Sequence, residues 1–106
     1  MITVSNSSPI INLARIGKLD LLRQIFGTVT VPDAVWREVV VDGAGQAGAR
    51  DVEQASWIRR ATVKNRDLVR ALQQELDEGE SEAIALACET QGSLLLMDEN
   101  LGRENS

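Results

Sequence analysis

Apolar residues follow one another along this chain in two rhythms, short extended runs and longer stretches spaced at threes and fours. Ile2, Thr3 and Val4 form the first extended run and predict a strand. Asn6-Ser7-Ser8-Pro9 interrupts it with side chains that favour caps and a proline suited to the first helical position. Ile10, Ile11, Leu13 and Ala14 then mark a helix that stops at Gly17, and Leu19, Leu21, Leu22, Ile25 and Phe26 mark a second that stops at Gly27. A β-branched run over 28–31 predicts the second strand, which Pro32 ends. Pro32-Asp33 opens a helix bearing Val35, Trp36, Val39 and Val40, with Glu38 on its flank. Gly43, Gly45 and Gly48 have no phosphate-cradling spacing and read as a flexible connection. Residues 48–56 predict a short helix, and 57–63 an extended segment with Arg59 and Arg60 exposed. Over 67–76, Leu68, Val69, Leu72 and Leu76 share one side of a helix, and 77–79 break it.

The pattern culminates in GESEAIALA, residues 79–87, followed by the strand-like SLLLMD over 93–98. At about 100° per residue, Glu80 shares a stripe with Ala83, Ile84, Ala87 and Cys88, while Glu82 falls on another face with Leu86 and Glu89. Glu80 is therefore expected at the head of the buried stripe, where a charge is costly unless compensated. A dozen helical residues rise roughly 18 Å and five strand residues roughly 16 Å. An antiparallel helix and strand would thus bring Glu80 beside Asp98, at the carboxyl edge of a sheet, where open α/β folds keep their sites. The alternation of strands and helices predicts one α/β domain over 1–106, with a mainly parallel sheet and helices on both faces.

Composition narrows the chemistry. The chain is 43% hydrophobic and 25% charged, as in a globular protein able to bury a core. It has no histidine, which removes that residue from every base, triad and metal role. With no tyrosine, one phenylalanine and two tryptophans, it has little to stack nucleic-acid bases upon. Cys88 is the sole cysteine, read as a small buried hydrophobe, and it favours a reducing, cytoplasmic setting. No signal peptide and no membrane-length apolar run is present. The net charge of −5 divides unevenly: residues 1–72 carry +3, and residues 73–106 carry −8. An acidic cluster beside a basic half suits a protein that brings phosphates to metal ions.

What collects at the carboxyl edge is Asn6 and Ser8 after the first strand, Glu38, Glu80, and Asp98 with Glu99. These are oxygen donors, and they fit a hard cation, Mg²⁺ or Mn²⁺, which promotes phosphodiester hydrolysis. Each also has an ordinary reading. A first-turn Glu commonly serves the helix dipole, an Asp after a strand commonly forms a turn, and an exposed Glu38 on a helix is unremarkable. Arg103 is either a salt-bridge partner or a phosphate ligand. A phospho-accepting receiver domain would want an acidic pair after the first strand, where this chain has Ser5-Asn6.

Four blocks in order, VSNSSPIINLARIGKLDLL, VPDAVWREVV, LDEGESEAIALA and LLLMDENLGR, resemble the PIN-domain proteins, specifically an uncharacterised VapC-toxin-like subgroup. The resemblance implies a PIN-like α/β fold and a ribonuclease dependent on Mg²⁺ or Mn²⁺. It also implies an RNA substrate, an antitoxin partner and a homodimer. Its first acid falls on Asn6, with Ser8 beside it, the second on Glu38, the third on Glu80 (Glu82 being less favoured) and the fourth on Asp98; Ser8 and Arg103 would contact substrate. Asn6 stands where the family carries Asp. The family also continues past the LGR block, so a C-terminally shortened domain is expected. A degenerate PIN module that only binds an antitoxin or itself is the alternative.

Overall fold

The computed structural model describes residues 1–46 and 48–97. Among these, strands β1 (Thr3–Ser5), β2 (Val29–Pro32), β3 (Ile58–Ala61) and β4 (Leu94–Leu96) form one sheet in the order β3-β2-β1-β4, with every pairing parallel. Thr3 lies opposite both Val29 and Leu94, and Val29 lies opposite Ile58. The chain therefore lays down β1, β2 and β3 in one direction and then returns to add β4 on the far side of β1. That reversal makes the carboxyl end of β1 a topological switch point, the place where such sheets open a crevice.

Helices α1 (Ser7–Arg15) and α2 (Asp20–Phe26) connect β1 to β2. The next crossover is α3 (Asp33–Trp36), continued by a π-helical turn (Arg37–Val41), and then α4 (Ala49–Gln54). The last is α5 (Arg66–Leu72) and α6 (Glu78–Glu89). The core divides in two, as the strand period of two requires. Val29 and Val31 of β2 join Ile10, Leu22, Val35, Val39 and Val52 in one cluster. Val4, whose register partner is Thr30, joins Val69, Ala83, Ala85 and Leu86 in the other. The expected parallel α/β architecture, with helices on both faces, is the one observed.

Several local expectations are corrected. Helix α5 ends at Leu72, so Leu76 lies beyond it in a turn where its N–H reaches the Leu72 carbonyl. Cys88 is exposed rather than buried. At the end of the glycine segment, Gly48 (φ +94°) leaves only 2.9 Å between a Cβ at that position and the Ala14 methyl, so the backbone entering α4 passes close to the end of α1.

Candidate metal and active site

At the switch point, Asn6, Ser7 and Ser8 from the β1–α1 junction, Glu38 from the π turn, and Asp77 and Glu80 from the start of α6 line one cleft of about 50 Å³. The backbone N–H of Asn6 donates to the Leu96 carbonyl at 3.1 Å, fixing Asn6 to the end of β4. Asn6 has the extended backbone of an N-cap residue (φ −85°, ψ −172°), yet its side chain does not cap α1. Its amide is 4% exposed, and Oδ1 has no hydrogen-bond partner among the described residues; the same holds for Ser7 Oγ. A buried acceptor oxygen left without a partner is uncommon, because desolvating it is unfavourable.

Glu38 owes its place to the π turn. The Asp42 N–H reaches back five residues to the Arg37 carbonyl at 2.7 Å, which widens the helix where Glu38 leaves it. A Cβ placed on Gly79 would lie 3.8 Å from Glu38 Oε1 and 3.6 Å from Asp77 Oδ1, so the Glu38 carboxylate faces the first turn of α6. That turn is the positive end of the helix dipole, an environment that favours an anion.

Glu80 closes a capping box. Its N–H donates to Asp77 Oδ1 at 2.8 Å, while its own Oε1 accepts the Asp77 N–H at 3.2 Å. Helix α6 therefore starts firmly, and the carboxylate is held at the cleft's rim. Asp77 is the contributor that the residue pattern left as a simple break, although its spacing to Glu80 carries the capping-box signal.

The face expected for α6 is corrected. Glu82 lies on the buried side with Ser81, Ala83, Ala85 and Leu86, and is itself 4% exposed. Its Oε1 accepts the Ala34 N–H at 2.9 Å and its Oε2 accepts Arg66 Nη1 at 2.7 Å. Alanine is spread around the helix, so hydrophobicity gave little angular preference; two donors from elsewhere in the chain made burial of a carboxylate acceptable.

Around the cleft, Arg37 pairs with Glu78 at 2.5 Å. Arg60 pairs with Asp33 at 2.6 Å, and its guanidinium stands 6.0 Å from the centre of the Trp36 ring. Burial pushes the Asp33 carboxyl up, but hydrogen bonds from Arg60 and Thr62 outweigh it and hold the group below its ordinary value. A wider groove of about 240 Å³ shares the Glu38 wall and is lined also by Ile11, Arg15, Val39, Gly43 and Gln46. Arg15 and Gln46 went unnoticed in the sequence, since neither belongs to a motif.

Asn6, Ser8, Glu38 and Glu80 are thus brought together, whereas Asp98 and Arg103 lie outside the described residues. Among the described residues no three His, Cys, Asp or Glu side chains converge to hold a metal ion. Two carboxylates, the unpartnered Asn6 oxygen and room for a few waters do fit a hard, water-rich cation. Among the described residues no helix is long and apolar enough to cross a membrane. A family model described as a PIN domain (DUF3368) matches residues 2–106. No curated protein and no solved structure matches the chain.

Proposed function

The chain belongs to the PIN-domain family, and from that premise we propose that it is a ribonuclease of the VapC toxin type, dependent on Mg²⁺ or Mn²⁺. The observation that carries this reading is the buried, unpartnered Oδ1 of Asn6 in a cleft shared with Glu38 and Glu80. Glu38, Glu80 and Asn6 would hold the cation, with Asp98 a further ligand by resemblance. When bound, the cation supplies Lewis acidity, making water a better nucleophile near neutral pH and offsetting phosphoryl charge. The protein's part is positional. The Asn6 backbone is locked to Leu96, the π turn aims Glu38 at α6, and the Asp77 box fixes Glu80. Ser8 and Arg103 would contact the RNA, and Arg15 in the adjoining groove offers a guanidinium to its phosphates. The proposed setting is the cytoplasm, with an antitoxin protein and a second copy of the chain as partners.

Two observations favour a second reading, a non-catalytic module that pairs with an antitoxin or with itself. Asn6 brings no charge, and Glu80 Oε1 is already engaged by Asp77. Incubating the protein with a mixed RNA pool and Mn²⁺ separates the two. Metal-dependent cleavage that disappears in Glu38→Gln and Glu80→Gln supports the nuclease; a folded protein without cleavage supports the binding module.

A further inference from the structure

Glu82 sits between three elements. Its carboxylate takes the Ala34 N–H, in the first turn of α3, and the Arg66 guanidinium, at the start of α5, while its backbone belongs to α6. Glu38 and Glu80 ride on two of those elements. Ala34 precedes Glu38 by four residues on the helix that becomes the π turn, and Glu80 precedes Glu82 by two on α6. The Ala34 N–H to Glu82 bond is a side chain–backbone hydrogen bond that ties α3 directly to α6. Arg37–Glu78 is the ion pair across the same junction, but both of its side chains are about half exposed and so hold it less firmly.

From this geometry we infer that Glu82 is a positioning residue: its buried carboxylate sets the separation of Glu38 and Glu80 across the cleft without itself binding metal or substrate. Both its oxygens are already engaged, on the inner side of α6, whereas the cleft is lined by Glu80 and Asp77 at the helix start. A buried acceptor shared by two donors is stiff, because moving either donor leaves a desolvated charge short of a partner. Arg66 holds Oε2, so it keeps the carboxylate turned with Oε1 toward Ala34.

The inference rests on the nuclease reading only for its consequence at the metal; the tether itself is measurable without metal. Compare the full chain with Glu82→Gln, Glu82→Ala and Arg66→Gln, first metal-free by amide NMR and hydrogen exchange, then by Mn²⁺ titration followed by EPR. In Glu82→Ala, protection of the Ala34 amide should fall at least tenfold, with shifted amide signals across 37–41. Glu82→Gln keeps an acceptor for Ala34 and should retain most of that protection. Arg66→Gln should give an intermediate loss, and it covers the case in which Glu82→Ala does not fold. Mn²⁺ binding should weaken about tenfold in Glu82→Ala and return to within threefold of the parent in Glu82→Gln. Unchanged Ala34 protection and 37–41 signals in folded Glu82→Ala or Arg66→Gln would overturn the inference. So would Glu82→Gln weakening Mn²⁺ as severely as Glu80→Gln, since Glu82 would then be a ligand. A parent protein that binds no Mn²⁺, yet loses Ala34 protection in the variants, would sink the metal reading and leave the tether standing.

Discussion

Gly43 lies against the carbonyl oxygen of Val39 so closely that a Cβ on Gly43 would stand 2.6 Å from it, and 3.1 Å from the Glu38 carbonyl oxygen. The obstacle is backbone, so it cannot be turned aside like a flexible side chain. Gly43 thereby closes the π turn from which Glu38 projects. Gly43→Ala should lower stability by about 1–3 kcal/mol, the usual range for overpacking. Because the strain falls first on the Val39 carbonyl and then on that of Glu38 beside it, Mn²⁺ affinity should drop as well. Chemical denaturation and Mn²⁺ titration check both; loss of stability with unchanged affinity would separate the π turn from the site.

Mn²⁺ should stabilise the fold, because a cation that binds only the native cleft shifts the equilibrium by mass action. At a hundred times its Kd the gain is about 2.7 kcal/mol, which in a domain of this size raises Tm on the order of 10 °C. Glu38→Gln and Glu80→Gln should each remove most of that rise. Thermal melts with Mn²⁺ and with EDTA measure it, and an undiminished rise in both variants would place the cation elsewhere.

Asn6→Asp should have opposed effects. A fourth carboxylate in the cleft, beside Glu38, Asp77 and Glu80, raises repulsion in the metal-free protein, which should melt lower, while Mn²⁺ should bind more tightly and RNA cleavage should increase. The buried position, at 4% exposure, makes the metal-free penalty larger than on a surface. Melts with and without metal, beside cleavage of a mixed RNA pool, test it. Unchanged affinity and cleavage in a folded sample would remove Asn6 from the site.

Acid should weaken the tie between α3 and β3. The Asp33 carboxyl is held below its ordinary value of 3.8: burial raises it, but the Arg60 and Thr62 hydrogen bonds prevail. A depressed carboxylate contributes stability that is fully present above the unfolded value and lost as pH falls through the folded one. Stability should therefore decline below about pH 4, and Asp33→Asn should flatten that part of the profile while lowering stability at pH 7. Denaturation midpoints between pH 2 and 7 check the sign; an identical acid slope in Asp33→Asn would assign the loss to other carboxylates.

Much of the architecture was legible in the chain. Val29 and Val31 alternate with Thr30 to give a strand its two faces, and Gly17, Gly27 and Pro32 punctuate at the element ends. Local periodicity and turn chemistry suffice for that, and the right-handed rule for parallel crossovers does the rest. The same logic carries Asn6, Ser8 and Glu80 to one edge of the sheet, since each follows a strand or starts a helix there, while Glu38 reaches that edge from the π turn that continues α3.

The sequence by itself thus determined the order of elements, the parallel sheet and the edge on which these oxygen donors gather. Only the tertiary structure decided what each carboxylate does. Glu80 and Glu82 are two residues apart on a helix with alanine on every side, so hydrophobic periodicity does not separate them, and the capping-box spacing of Asp77 to Glu80 is the one local signal that does. Glu82 is buried because Ala34, 48 residues earlier, and Arg66, 16 residues earlier, supply its donors. Glu80 stays at the rim because Asp77 completes a box with it. Cys88, grouped with the apolar stripe by periodicity, is turned outward once Glu82, Ala85 and Leu86 take the inner side. The free energy of burying a charged group is set by the partners waiting for it, and those arrive from distant parts of the chain only when the fold is complete.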